Sequence, residues 1–223
     1  MSSPSVQPLK SETKRDRRVR IAIVTLCAIG AAAVLRRLVA LGSTPGAGPS
    51  PSAGLDAHFA QKAGMVLLHI LPSLLFVLLV PLQFVPSLRR RRPRLHRWTG
   101  RVIIASGMVL GISALWLSAA PTGGIVEGMA TTFFGCFFLF SLAKAWWYIR
   151  HGRVELHRRW ATRMTAIALG VATTRPIMAI FFATRPLTGL TPQQFFGPAM
   201  WIGFVSTYLA GEVWLAKQPK YRA

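Results

Sequence analysis

Six apolar runs, each long enough to cross a bilayer as a helix, recur along this chain. That recurrence limits the fold more than any motif does. A span needs about 20 residues at a rise of about 1.5 Å each. We read the runs as residues 21–42, 63–85, 98–119, 127–149, 161–183 and 196–216. Only a helix satisfies its own backbone within a lipid bilayer, so the expected fold is all-α, a polytopic transmembrane bundle over residues 21–216. Residues 1–20 are polar and basic and read as a disordered cytoplasmic tail, and residues 217–223 as a second basic tail. The first run is the shortest in clean apolar length, because Arg36 and Arg37 interrupt it. It reads as an uncleaved anchor whose arginines snorkel to the far interface; a cleaved signal peptide is the rival. Residues 43–61, rich in Gly, Pro, Ser and Ala, read as a loop.

Charge orders these spans. The chain carries 27 Lys+Arg against 6 Asp+Glu, a net charge of +21. Such a balance raises nucleic acid as a partner, but a nucleic-acid domain spreads its cations along one soluble face. Here they fall in blocks between apolar runs. Lys10 to Arg20 precede the first run, Arg89 to Arg101 follow the second, Lys144 to Arg163 surround the end of the fourth, and Lys217 to Arg222 follow the sixth. Arg36, Arg37, Lys62, Arg175 and Arg185 alone lie elsewhere. Alternation of this kind places both termini in the cytoplasm and the basic blocks against anionic headgroups, at about 1 kcal/mol per cation. Nucleic acid is thereby set aside. Cys27 and Cys136 lie inside apolar runs, form no CxxC and read as small packing residues.

A short box occurs twice. Leu95-His96-Arg97-Trp98-Thr99-Gly100-Arg101 opens the third span, and Leu156-His157-Arg158-Arg159-Trp160-Ala161-Thr162-Arg163 opens the fifth. The second and third spans, and the fourth and fifth, then read as two parallel hairpins related by an axis along the membrane normal. That symmetry puts His96 and His157 at one depth. Trp and Arg also serve as plain interface anchors, and a histidine there can simply cap backbone. The sharper reading makes the two histidines a ligand pair for haem iron or another metal, since imidazole is the commonest protein metal ligand.

Ionisable groups at membrane depth are functional candidates by default. His69 lies about 7 Å below the outer surface, as a ligand, a relay group or an interhelical bond. Arg175 lies about 18 Å beyond Arg163 and is followed by Pro176, a setting for a carboxylate or a haem propionate, or for snorkelling. Glu212 sits at the level of Arg101 and Arg163, and an ion pair with one of them is the economical account. Gln83, between Pro81 and Pro86, shares the cytoplasmic level. Gly107 and Gly111 have the small-xxx-small spacing of close helix contact, within the chain or between subunits of a homo-oligomer.

Taken together, Pro81-Leu82-Gln83-Phe84, the two boxes and Gly189-Leu190-Thr191-Pro192-Gln193-Gln194-Phe195-Phe196-Gly197 resemble a bacterial family of predicted membrane proteins, domain of unknown function 2306. The resemblance covers about residues 60–216 and implies a multispanning plasma-membrane protein without a settled activity. In outline the histidine-bearing helices are similar to two-haem cytochromes of the b type. A second haem layer would need two outer histidines, and only His69 lies within a span there, with His58 in the loop. Two functions follow as expectations. One is a redox membrane protein holding haem b through His96 and His157, or through His69. The other is non-enzymatic: an assembly factor for a membrane complex, a lipid-binding module or a small transporter. Hydrolysis within the membrane lacks its motifs, with neither a Ser-His-Asp set nor H-E-x-x-H.

Overall fold

The computed structural model describes residues 14–42 and 53–218. They form α1 (Lys14–Gly42), α2 (Ala53–Ala60), α3 (Ala63–Gln83), α4 (Pro86–Arg91), α5 (Pro93–Ser118), α6 (Gly124–Arg150), α7 (Val154–Thr188) and α8 (Pro192–Ala216), with no strand among the described residues. Six of these, α1, α3, α5, α6, α7 and α8, are long and apolar enough to cross a membrane.

Several helices outrun the apolar segments that announce them. Helix α1 begins at Lys14, so Lys14–Arg20 of the expected tail is helical, while residues 1–13 and 219–223 lie outside the described residues. Part of the expected loop, from Ala53 to Ala60, is the short helix α2. The boxes lie inside the first turns of α5 and α7, and α7 runs on unbroken past Pro176 to Thr188. Hydropathy marks only the part of a helix in hydrocarbon. The 35 residues of α7 measure about 52 Å against about 30 Å of hydrocarbon, so its polar ends stand in the headgroup regions. Where helices stop, local chemistry is explicit. Gly189 caps α7 at φ 66°, a left-handed turn that glycine takes without cost. Thr191 and Gln194 form a reciprocal capping box at the start of α8, with Pro192 in its first turn.

The spans pack as a ring. Helix α1 contacts α3, α3 contacts α5, α5 contacts α6, α6 contacts α7, and α7 returns to α1, while α8 packs on α6 and α7. Phe76, Ile103, Phe138, Leu142 and Ile167 fill the core, with Phe76 and Phe138 edge to face at 5.9 Å between ring centroids. One end of the bundle gathers the basic blocks. The Arg15 guanidinium donates to the Lys217 carbonyl at 3.1 Å, joining the start of α1 to the end of α8. At the opposite end, Lys62 donates to the Ala120 carbonyl at 2.6 Å, and Trp201 Nε1 to the Val126 carbonyl at 3.1 Å.

Glycines set the closest approaches. A Cβ on Gly107 would stand 2.5 Å from Leu142 Cδ1 and one on Gly111 2.5 Å from Leu139 Cδ2, so this expected pair seats α5 on α6 within the chain. The tightest crossing joins α7 to α8. A Cβ on Gly203 would stand 2.8 Å from the Gly170 carbonyl oxygen and 3.0 Å from Thr174 N, both backbone atoms. Thr207 donates to Thr173 at 2.7 Å across the same seam. Backbone cannot yield as a side chain can, so Gly203→Ala is expected to destabilise the bundle by about 1–3 kcal/mol. A thermal melt in detergent checks this: the midpoint falls for Gly203→Ala and holds for Gly64→Ala, where nothing lies within 4 Å.

Candidate functional site at the basic end

The two boxes both lie at the basic end of the ring. His96 lies on the first turn of α5 and His157 on the first turn of α7, both half-buried. Helices α5 and α7 do not pack along each other, so these side chains come from the two helices that flank α6. They are still close enough for their charges to interact.

The two imidazoles are held differently. His157 Nδ1 lies 2.8 Å from the Ala145 carbonyl of α6. Only a protonated Nδ1 can bond a carbonyl, which leaves Nε2 with the lone pair in the neutral ring. A histidine tethered in this way is the usual form of a metal ligand. His96 Nδ1 is buried and has no hydrogen-bond partner among the described residues. Gln83 at the end of α3 supports this turn from the side. Its Nε2 donates to Thr99 Oγ1 at 2.7 Å and to the His96 carbonyl at 3.4 Å. A Cβ at Gly100 would stand 3.6 Å from Gln83 Oε1. Arg89 of α4 and Arg158 of α7 bring cations to the same place, and burial together with the charges of Arg158 and Arg90 lowers the Arg89 pKa from its ordinary value.

The remaining candidates divide by level. Arg163 and Glu212 form a two-pronged ion pair between α7 and α8, Nε to Oε1 at 2.6 Å and a second nitrogen to Oε2 at 3.0 Å. Arg101 takes no part in it and lies over the Trp98 ring at 5.4 Å. His69 stands apart from the histidine pair: its Nδ1 bonds Ser113 Oγ at 3.0 Å, joining α3 to α5. Arg175 lies 18 residues past His157 on α7, about 27 Å along the axis. A propionate of a group held by the histidine pair is therefore beyond its reach, and Arg89 and Arg158 are the arginines at hand. Sequence reasoning missed Thr99 and the Ala145 carbonyl. A hydroxyl beside a glycine gives no strong signal, and a backbone acceptor gives none.

Six apolar helices, a basic end and a polar cluster within it define a polytopic helical-bundle membrane protein. The chain belongs to the family described as predicted membrane protein, DUF2306, whose model matches residues 66–215. That match takes in every residue of the histidine cluster. No curated protein and no solved structure matches the chain.

The ion pair is open to a direct check. Glu212→Gln leaves Arg163 facing a neutral amide at membrane level, and a loss of about 1–3 kcal/mol is expected. A double-mutant cycle with Arg163→Leu and Glu212→Leu reads the coupling, and strictly additive losses would mean that the pair contributes nothing of its own.

Proposed function

We propose that this protein is a b-type electron-transfer protein of the bacterial plasma membrane, with His96 and His157 as the ligand pair at its cytoplasmic end. The observation that carries the reading is the contrast between the imidazoles: one tethered through Nδ1 to the Ala145 carbonyl, the other with a buried Nδ1 and no protein partner among the described residues. The residues present fit a haem. Two histidines come from the helices that flank α6, and Arg89 and Arg158 stand by to pair with propionates. When bound, haem b supplies one-electron transfer at a potential set by its axial ligands. The chain's part is to orient and shield. The Ala145 carbonyl fixes the His157 tautomer and ring direction. Gln83 holds the turn that carries His96, and buried Leu142 and Ile103 lie on the side toward the packed interior.

Absorbance tests this reading. Detergent-purified protein from cells with ample haem precursor is expected to show a Soret band that sharpens and shifts on dithionite reduction. His96→Ala and His157→Ala each remove it, and His69→Ala retains it. A featureless visible spectrum at full haem supply sinks the proposal and leaves the non-enzymatic reading.

Orientation belongs to the same proposal. An even number of spans and the basic blocks at one end support both termini in the cytoplasm. The two packed hairpins, α3 with α5 and α6 with α7, each open a second helix with a box, which supports reading them as a parallel repeat. Green fluorescent protein fused after Ala223 is expected to fluoresce, and alkaline phosphatase inserted at Gly123 to be active. The converse pair would invert the topology and move the histidine cluster outside.

A further inference from the structure

Of the arginines in the half of the bundle opposite the basic end, Arg36, Arg37 and Arg175 lie at one level, and Arg185 lies ten residues beyond Arg175 on α7. Helices α1 and α7 both start at the basic end and touch where a Cβ on Gly30 would stand 3.8 Å from Ala172 Cβ. Arg36 and Arg37 follow Gly30 by six and seven residues, and Arg175 follows Ala172 by three. Their heights thus differ by about 5 Å, within the reach of arginine side chains. All three guanidinium charges repel one another. Arg36 lies fifteen residues beyond Ile21, and Arg175 fifteen beyond Trp160. Each is about 23 Å from the basic interface, in the outer third of about 30 Å of hydrocarbon.

Among the described residues, one carboxylate is paired with this cluster. Helix α2 folds over the end of α1 and brings Asp56 to both arginines of that helix. Asp56 Oδ2 accepts from Arg36 at 2.7 Å, and its Oδ1 accepts from Arg37. Arg37 is further fixed over the Phe59 ring at 4.1 Å and is mostly buried. Arg36 keeps about half of its side chain exposed, at 51%. Arg175 is exposed and makes no hydrogen bond or ion pair among the described residues. Glu127, the anion on α6, is engaged elsewhere, with the Gly123 amide at 2.7 Å. Among the described residues three guanidinium charges meet one carboxylate here, and Arg175 lies at a depth where an uncompensated cation costs several kcal/mol.

We infer that Arg175 and Arg36 form a binding site for the phosphate of an anionic phospholipid in the leaflet opposite the basic end, with Arg37 held in place by Asp56 and Phe59. The surface itself selects this occupant. At this level the anions supplied by the surroundings are lipid phosphates, and the planar guanidinium fork suits them. Apolar side chains flank the site, with Val39 and Ile180 both exposed, a surface on which acyl chains lie. In this reading the arginines reach toward the headgroups and draw one acidic lipid into the α1–α7 groove.

The test uses the full chain in neutral detergent, titrated with phosphatidylglycerol, phosphatidylcholine or oleate and followed by native mass spectrometry. The tightest adduct is expected to be phosphatidylglycerol, bound about tenfold more tightly than phosphatidylcholine, the effect of one charge-assisted contact. Arg175→Gln is expected to abolish that preference, and Arg91→Gln with Arg92→Gln at the basic end to retain it. The reverse pattern, no preference in the wild type, or oleate binding as tightly as phosphatidylglycerol overturns the site. A photoactivatable phosphatidylglycerol on the wild-type protein covers the case in which Arg175→Gln does not fold. Labels in residues 30–42 and 171–188 support the site, and labels confined to the basic end overturn it.

Discussion

Helices inside a bilayer gain nothing from burying leucine against leucine, because the lipid is as apolar as the partner. The bundle therefore depends on how closely its backbones approach. Gly170 and Gly203 bring α7 and α8 into backbone contact, and Gly107 and Gly111 let leucine side chains of α6 seat against the backbone of α5. Hydroxyl pairs reinforce the seam, as between Thr173 and Thr207. Meanwhile α3 turns Leu68, Leu71, Leu75 and Leu78 outward, an arrangement that would be costly in water and is neutral against lipid. What a soluble protein obtains from a hydrophobic core, this one obtains from small residues at crossings.

A second consequence is that polar chemistry is pushed to the two ends. Between them, Phe76, Leu142, Ile167 and Phe204 close the interior. The histidine cluster sits beyond this plug at one end, and the arginine cluster beyond it at the other, about 27 Å apart along α7. Neither can share a small ligand with the other. The Arg163–Glu212 pair belongs to the basic end by depth but ties α8 to α7, and the histidines lie on α5 and α7. Its role there is to fix the helix that also presents His157.

The class of fold was legible because span length and backbone satisfaction are properties of single segments. Each of the six runs could be recognised without knowing its neighbours, and the charge blocks sorted their ends. Less was legible where a helix leaves hydrocarbon. The start of α1 at Lys14, the short helix over Ala53–Ala60 and the entry of α5 at Pro93 all lie in polar sequence, where hydropathy carries no period. Glycine spacing in the third span was readable as a contact, whereas Gly170 and Gly203 sit 33 residues apart and become a pair only in three dimensions. The histidines were recognised by their repeated box. That Gln83 supports the turn of His96, and that a carbonyl orients His157, depended on the ring closing. The separation of Arg175 from that cluster could be computed from helical rise alone, since both lie on one helix.

The limits of the family match divide the chemistry further. His96, His157, Gln83, Thr99 and Ala145 all fall within residues 66–215, so the histidine cluster is built wholly from the matched spans. The arginine cluster is not. Arg36, Arg37 and Asp56 come from α1 and α2, which lie outside the match, and only Arg175 comes from within it. Helix α1 also closes the ring by contacting both α3 and α7. It thus has two separable effects: it covers the groove between those helices, and it brings extra charge to a level where α7 already carries an arginine. An arginine on α7 alone could snorkel to the headgroups singly. Two more beside it, with Asp56 paired to both of them, concentrate positive charge at that level, which is the ground for the proposed lipid site.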